Sequence, residues 1–572
     1  MEIKTLEIRK FRSIDSCFIS FNKINAIVGQ NNSGKSAIIR AMNAFFNKDQ
    51  EEINFIQGKH AYTPNSQPKI TATFSNFQNN DVTQYCHGGV LTIQMQYYPS
   101  SKKIIYRYKK ANEFSTAPQE LIDLVSASIA FIYVPPNRNS AELKWEENTL
   151  IKQLIEEYLE NETLRRDTLT PKFRSATKYL EDGALTKISK ELEKFYSLRH
   201  KFNFSINFGK ETNYANFLTG IQLFIKEAGM THNLDDCGTG LQSLTIISLH
   251  RSLAKLRHKN IILGLEEPET NLHPQAQREL ISSISNPPPQ QGVAQLILTT
   301  HSTVLIDNID HKHISLVRKQ PDINRGFKSE IRSINEGFFE DNEIEEFNYY
   351  QFHQYRNSDF FYANYVIFCE SKNDAEVVKH LAKKINVDLD LYGITIINID
   401  GVNNLPYPYH IVKQLGLPHL LILDKDYFIP YLNDDLEKSR DNQGLPKYRY
   451  VFKTGNLLGE LIPSERARSG ILNAFKENHS KALDLLSQHS IICMNYNLEM
   501  DLLCSDFAVE VMSDKLNING DNRNRCFLLT QRHKAIKKID NILYTLNSLE
   551  NRNLPNSYKR IKRKLADIIR EI

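Results

Sequence analysis

The chain has 572 residues, 41% hydrophobic and 24% charged, with Lys+Arg 71 against Asp+Glu 67 and a net charge of +4. That length exceeds one ordinary domain and implies two or three, each with its own core, while so small a net charge identifies no polyanion ligand until the charges are located. The seven cysteines include no C-x-x-C pair, which argues against a zinc site and a disulfide framework, and neither a signal peptide nor a membrane-length apolar run is visible, so a cytoplasmic protein with no membrane partner is expected.

In chain order, residues 2–28 read as two strands, with Ile3, Leu6 and Ile8 interleaved with charges and INAIV forming a short buried run. GQNNSGKS follows, Gly29 to Ser36, and then the helical SAIIRAMNAFF. This is G-x-x-x-x-G-K-[ST] between a predicted strand and a predicted helix. Gly29, Asn31, Asn32, Ser33 and Gly34 would curl backbone N–H groups around phosphates, Lys35 would meet the β and γ phosphates, and Ser36 would help hold Mg²⁺. Residues 140–200 change to charged helical segments and read as an inserted arm, either a dimer contact or a solvated insertion. Alternation of strands and helices resumes near 202 and runs to about 318.

Within that stretch, NIILGLEEPETNLHP is an apolar strand ending in two acids, suited to a metal-linked Glu266 and a general base for water, Glu267. QLILTTHS repeats the layout and delivers His301 to a strand's C-terminal end, where α/β folds place their ligands. Alone, His301 reads as structural; in order with the other two motifs it becomes a candidate site residue. Residues 319–360 are polar and acidic and read as a connection, so the expected division is 1–355 and 356–572.

A new α/β pattern starts at YANYVIFCE, placing Glu370 at a strand end and Asp374 at the start of an amphipathic helix. PHLLILDKDYF ends a buried run in Asp424 and Asp426, which on a strand would share one side roughly 6.5 Å apart, with the lysine between them pointing away. Such a pair is either a strand-end turn with capping aspartates or a cation site. NYNLEMDLL repeats the spacing with Glu499 and Asp501. Three acidic groups at strand ends favour a hard-cation site of oxygen ligands. Basic residues then gather at 523–538 and in a helical tail at 559–564, reading as phosphate contacts or as a solvated helix face.

In their order, GQNNSGKS, CGTGLQS (237–243), LEEPETNLHP and TTHS resemble the ATP-binding-cassette ATPases of SMC-like and recombination proteins. The resemblance implies that Gly238 and Gly240 belong to a signature loop, that Asn271, Leu272 and His273 form a D-loop, and that ATP is sandwiched between two copies, hence a homodimer or higher homo-oligomer. Glu370 with Asp374, the glycine loop GVNN (401–404) and the D-x-D resemble a Toprim domain, although Ser371 stands where glycine is common. Toprim behind such an ATPase resembles the OLD (overcoming lysogenization defect) family of endonucleases, which includes the Gabija nuclease and retron-associated effectors. By that resemblance Glu370, Asp374, Asp424, Asp426, Glu499 and Asp501 are ligands for Mg²⁺ or Mn²⁺, and a late lysine steadies the transition state, with Lys534 the best match and Lys537 and Lys538 its rivals. It further implies DNA as substrate, ATP control, antiphage defence, and a partner that is either a reverse transcriptase with its RNA–DNA product or a helicase-like protein. Topoisomerase-like strand passage and an ATP-dependent DNA clamp with an inactive Toprim fold are the alternatives.

Overall fold

The computed structural model describes residues 1–77, 80–111, 113–137, 150–161, 224–227, 230–233, 237–256, 260–285, 293–323, 325–335, 337–345, 358–433 and 435–572, with a few single positions between 172 and 187. Its contacts divide into two units, Met1–Ile331 and Arg332–Ile572. Of the expected arm at 140–200, the helix Leu150–Asn161 is described and most of the remainder lies outside the described residues.

The first unit holds two six-stranded sheets. In the antiparallel one, Glu2–Phe11 lies between Ile14–Ser20 and Lys69–Ser75. Ile3 and Leu6 are three residues apart and would face opposite sides of a regular strand; a register shift between Ile3 and Thr5 turns both into the core. The other sheet has the order Gly326–Ser333, Ile314–Asp322, Ile24–Val28, Val293–Thr299, Asn260–Glu266, Ile129–Val134. Its central strands are parallel and covered on both faces, which accounts for unbroken apolar runs such as INAIV. Gly264 admits close packing there, since a Cβ would meet the Phe131 ring at 2.6 Å. Part of the expected connection is strand instead: Gly326–Ser333 and the end of Ile314–Asp322 form the sheet edge. A half-solvated edge strand carries polar residues and so resembles a linker in sequence.

The second unit is built on a four-stranded parallel sheet, ordered Ile394–Asn398, Tyr365–Cys369, His419–Leu423, Ile491–Cys493. Helix Lys372–Lys384 starts with a reciprocal cap between Ser371 and Asp374 and buries Val377, Val378 and Leu381 against the sheet. The last helix, Asn556–Glu571, buries Tyr558, Ile561, Leu565 and Ile568 at helical spacing. Among the described residues no helix is long and apolar enough to cross a membrane.

Candidate functional site

In the first unit, strand Ile24–Val28 feeds the glycine loop and helix Lys35–Phe46. Gly29 and Gly34 adopt φ of +140° and +109°, and a Cβ would strike the Val317 carbonyl oxygen at 2.2 Å and Ser329 Oγ at 2.1 Å, so both positions require glycine. Lys35 Nζ donates to the carbonyls of Gly29 (3.0 Å) and Gln30 (2.8 Å), folded onto its own loop. Burial lowers its pKa to about 8, opposed by Glu267, Glu269 and Glu266. Ser33 Oγ is buried without a hydrogen-bond partner. An orphan donor beside a lysine and a helix N-terminus fits a phosphate group.

Strand Asn260–Glu266 brings Glu266 to this loop, where it is 5% exposed and accepts from Tyr133 Oη (3.1 Å) and from the Ser36 side chain. Its carboxyl is raised by burial. Glu267 turns away in a left-handed conformation, φ +44°, leaving its carboxylate 3.8 Å from His301 Nε2. The His301 backbone N–H donates to Glu269 Oε1 at 2.6 Å, and burial holds the imidazole below its ordinary pKa. Gly240 packs against the Asn271 carbonyl, where a Cβ would sit 2.6 Å away, while Gly238 has open space around it.

A buried polar chain supports Glu266 from behind. Tyr133, its hydroxyl on Glu266, lies under the Arg40 guanidinium at 4.4 Å, and Arg40 pairs with Glu51 at 2.9 Å. Glu51 contacts His60 Nε2 at 2.8 Å, and His60 Nδ1 accepts from Arg12 Nε at 3.1 Å. No sequence motif marks this chain, because its members come from separate, unpatterned positions.

In the second unit the acids gather at the C-terminal ends of neighbouring parallel strands. Glu370 follows Cys369, Asp424 follows Leu423, and the Asp424 N–H donates to Glu370 Oε2 at 3.4 Å. Asp374 Oδ2 accepts from the Ser371 N–H (2.9 Å) and hydroxyl (2.6 Å). The carboxyls of Glu370, Asp374 and Asp424 are all raised, first by burial and then by one another and by Asp426 or Glu499. Mutual repulsion of this kind marks a deficit of positive charge, and an all-oxygen donor set suits a hard divalent cation. Among the described residues no group of three or more His, Cys, Asp or Glu is arranged as a ready metal cage. The fold therefore brings the acids into mutual electrostatic reach without closing them on one point.

Two features differ from the sequence-based expectation. The strand stops at Leu423, so Asp426 lies in the short 3-10 turn Lys425–Tyr427, not on a strand beside Asp424. Lys425 is 6% exposed, with Nζ over the rings of Tyr448 (4.3 Å), Phe475 (5.6 Å) and Tyr496 (5.7 Å). Glu499 and Asp501 sit on helix Leu498–Leu502, where residues two apart face different directions. Asp501 is fully buried, and its oxygens accept from the Asn495 and Tyr496 N–H groups at 2.7 and 2.8 Å. Glu499 turns to Lys537 Nζ, 3.2 Å away.

Of the late lysines, Lys537 pairs with Glu499, while Lys534 lies in the short helix His533–Ile536. A second cation went unread: Lys453 Nζ lies 3.7 Å from Asp426. Several members of the basic clusters are spent within the fold. Arg523 pairs with Asp514, Arg525 with Asp506, and Arg560 with Asp484. A cavity of 720 Å³ in this unit runs instead along Val387–Asp390 and the beginning of strand Ile394–Asn398.

A phosphate-binding loop with an acid-tipped neighbouring strand, and a second unit with carboxylates at parallel strand ends, define a P-loop ATPase joined to a Toprim-type domain. Residues 1–130 and 98–306 match the family described as AAA ATPase domain, and residues 361–426 match the overcoming lysogenization defect protein-like TOPRIM domain. The chain belongs to the AAA ATPase domain family, and that domain is followed by one matching the OLD-like TOPRIM model. It is 22% identical over 460 residues to the OLD nuclease of Thermus scotoductus (strain ATCC 700910 / SA-01), covering 74% of this chain and 82% of the relative. It is 20% identical over 498 residues to the Endonuclease GajA of Bacillus cereus (strain VD045), covering 80% and 79%. A solved SmcHead, bound to the C-winged helix domain of ScpA, aligns with 59% of this chain and 99% of its own at 17% identity and a TM-score of 0.37, too low to bear on the fold.

Proposed function

We propose that the protein is a metal-dependent DNA endonuclease whose cutting is regulated by ATP. The observation that carries this reading is that Glu370 and Asp424 at neighbouring strand ends, Asp374 in the following helix, and Asp426 and Glu499 beside them lie in mutual electrostatic reach in the Toprim domain. Glu370, Asp374, Asp424 and Asp426 would hold Mg²⁺ or Mn²⁺, with Glu499 beside them. Bound there, a divalent ion supplies charge that activates water and steadies the leaving oxygen. Asp501 serves the site indirectly, by fixing the loop ahead of Glu499. Lys537 and Lys453 carry the positive charge nearest the acids and would orient the DNA phosphates.

In the ATPase domain, Gly29, Asn31, Asn32, Ser33, Gly34 and Lys35 would cradle the phosphates, and Ser36 with Glu266 the accompanying Mg²⁺. Glu267 would draw the proton from water, with His301 beside it. Gly238 and Gly240, in the signature loop, would complete the site of a second copy, so the working form is a homodimer or larger. The remaining part of the proposal is a cytoplasmic role in antiphage defence, with a reverse transcriptase and its RNA–DNA product or a helicase-like protein as partner.

The test is incubation with supercoiled plasmid and Mg²⁺ or Mn²⁺, with and without ATP. Nicked or linear DNA from the wild type and none from Asp424→Asn is the expected result. Topoisomers, or intact plasmid under every condition, would sink the proposal.

A further inference from the structure

In the first unit, the turn that follows strand Asn260–Glu266 is tied to the loop that follows strand Val293–Thr299. The Glu267 N–H donates to the Thr299 carbonyl (2.9 Å), and the His301 N–H donates to Glu269 Oε1 (2.6 Å). Within the turn, the Leu272 N–H donates to the Glu269 carbonyl at 2.9 Å. Helix Pro274–Ser285 then brings Gln277 back onto both segments: its Nε2 donates to the Leu272 carbonyl at 2.8 Å, and its Oε1 accepts from Ser302 Oγ at 2.5 Å. The partners dictate which way the amide faces. A carbonyl only accepts, so the N–H₂ end must meet Leu272, which leaves the oxygen for Ser302 and makes that hydroxyl the donor.

Gln277 is 9% exposed. A buried amide costs stability unless both of its ends are paired, and an aliphatic side chain would fill the same space without that demand. Here each end serves a different segment, one the turn that carries Glu267 and the other the residue after His301. Ser302 is itself fixed: its N–H donates to Thr300 Oγ1 (2.9 Å), and its Oγ accepts from the Leu305 N–H (3.3 Å) at the start of helix Thr303–Ile306. His301 is therefore flanked on both sides by ties to one turn, through its own N–H to Glu269 and through Ser302 to Gln277. Its main chain cannot shift relative to Glu267 without breaking one of them.

We propose that Gln277 is a positioning residue of the ATPase site, whose side-chain amide locks the His301 loop to the Glu267–His273 turn so that the Glu267 carboxylate and the His301 imidazole, 3.8 Å apart, act together in ATP hydrolysis. The inference rests on the ATPase reading above and deepens it. Both ends of the amide are committed to Leu272 and Ser302, so Gln277 acts through them and not on the nucleotide. Its loss loosens the geometry of the chemical step while the phosphate loop, built from another segment, keeps its hold on ATP.

Gln277→Met keeps the length of the side chain and removes both hydrogen bonds; Ser302→Ala removes one of them, and Ser302→Thr retains it. With the full chain and Mg²⁺-ATP, kcat for hydrolysis should fall roughly 10-fold or more in Gln277→Met and Ser302→Ala, with KM within about twofold, while Ser302→Thr stays within about threefold of the wild type. The double variant of Gln277→Met with Ser302→Ala should be at most about twofold slower than the slower single, because both substitutions cut one connection. Affinity for a fluorescent ATP analogue within about twofold of the wild type shows the variants to be folded with the phosphate site intact. Wild-type kcat in Gln277→Met would overturn the inference. So would a loss of analogue binding that matches the fall in kcat, or losses that multiply in the double variant. If the wild type itself leaves ATP intact, it is the ATPase reading that fails.

Discussion

Replacing Glu51 by glutamine perturbs the chain behind Glu266 at its most buried point. Glu51 is 1% exposed, with Oε1 accepting from Arg40 (2.9 Å) and Asn43 (2.8 Å), and Oε2 from Asn54 (2.9 Å) and His60 (2.8 Å). His60 is neutral, held below its ordinary pKa by burial, so Nε2 carries the proton toward Glu51 while Nδ1 receives the Arg12 donor. Burial raises the Glu51 carboxyl, but the His60, Asn43 and Arg40 hydrogen bonds outweigh it and bring the pKa from 4.5 to about 2. A displacement of that size corresponds to roughly 3 kcal/mol in favour of the charged form. Because the folded pKa lies below the unfolded one, this stability is present above pH 4.5 and is lost as pH falls toward 2. Glu51→Gln removes the charge and turns an amide N–H₂ toward groups that only donate. Calorimetry should show the first unit's transition, recognised by its rise with ATP, about 5–10 °C lower at pH 7, with a shallower decline below pH 4.5. A transition within about 1 °C of the wild type, or an unchanged acid limb, would show that the carboxylate is not held in this way.

Other expectations are more local. Gly34→Ala, at φ +109° and against Ser329 Oγ, should abolish binding of a fluorescent ATP analogue while leaving the second unit's melting transition in place. Asp501→Asn should destabilise the second unit by about 2 kcal/mol, the loss of a charged acceptor for backbone N–H groups, yet leave calorimetric Mn²⁺ affinity within about threefold; an affinity loss like that of Asp424→Asn would make Asp501 a ligand. Lys537→Ala should slow plasmid cleavage at least tenfold more than Lys534→Ala, and the reverse order would favour Lys534.

Legibility followed the range of the signal. The phosphate loop was readable because its glycines answer a local backbone demand that the conformations of Gly29 and Gly34 make explicit. Glu370 and Asp424 were readable because a buried parallel strand is an apolar run, and its end points to where ligands sit. Glu499 and Asp501 misled because i, i+2 spacing means a shared face only on a strand. Asn497 caps a helix there, its side chain accepting from the Met500 N–H, and N-L-E-M carried that signal. Lys425 and Tyr448 were hidden for another reason. The ring cage of Lys425 comes from Tyr448, Phe475 and Tyr496, joined by no spacing that a sequence displays.

The acid centre draws its side chains from strand ends and a helix scattered from Glu370 to Glu499, and the segment before Glu499 is anchored by the last helix, where Tyr558 Oη donates to the Leu498 carbonyl at 2.8 Å. A chain that ended before Asn556 would lose both that donor and the apolar face of Tyr558, Ile561, Leu565 and Ile568, and with them the anchor of the turn that presents Glu499.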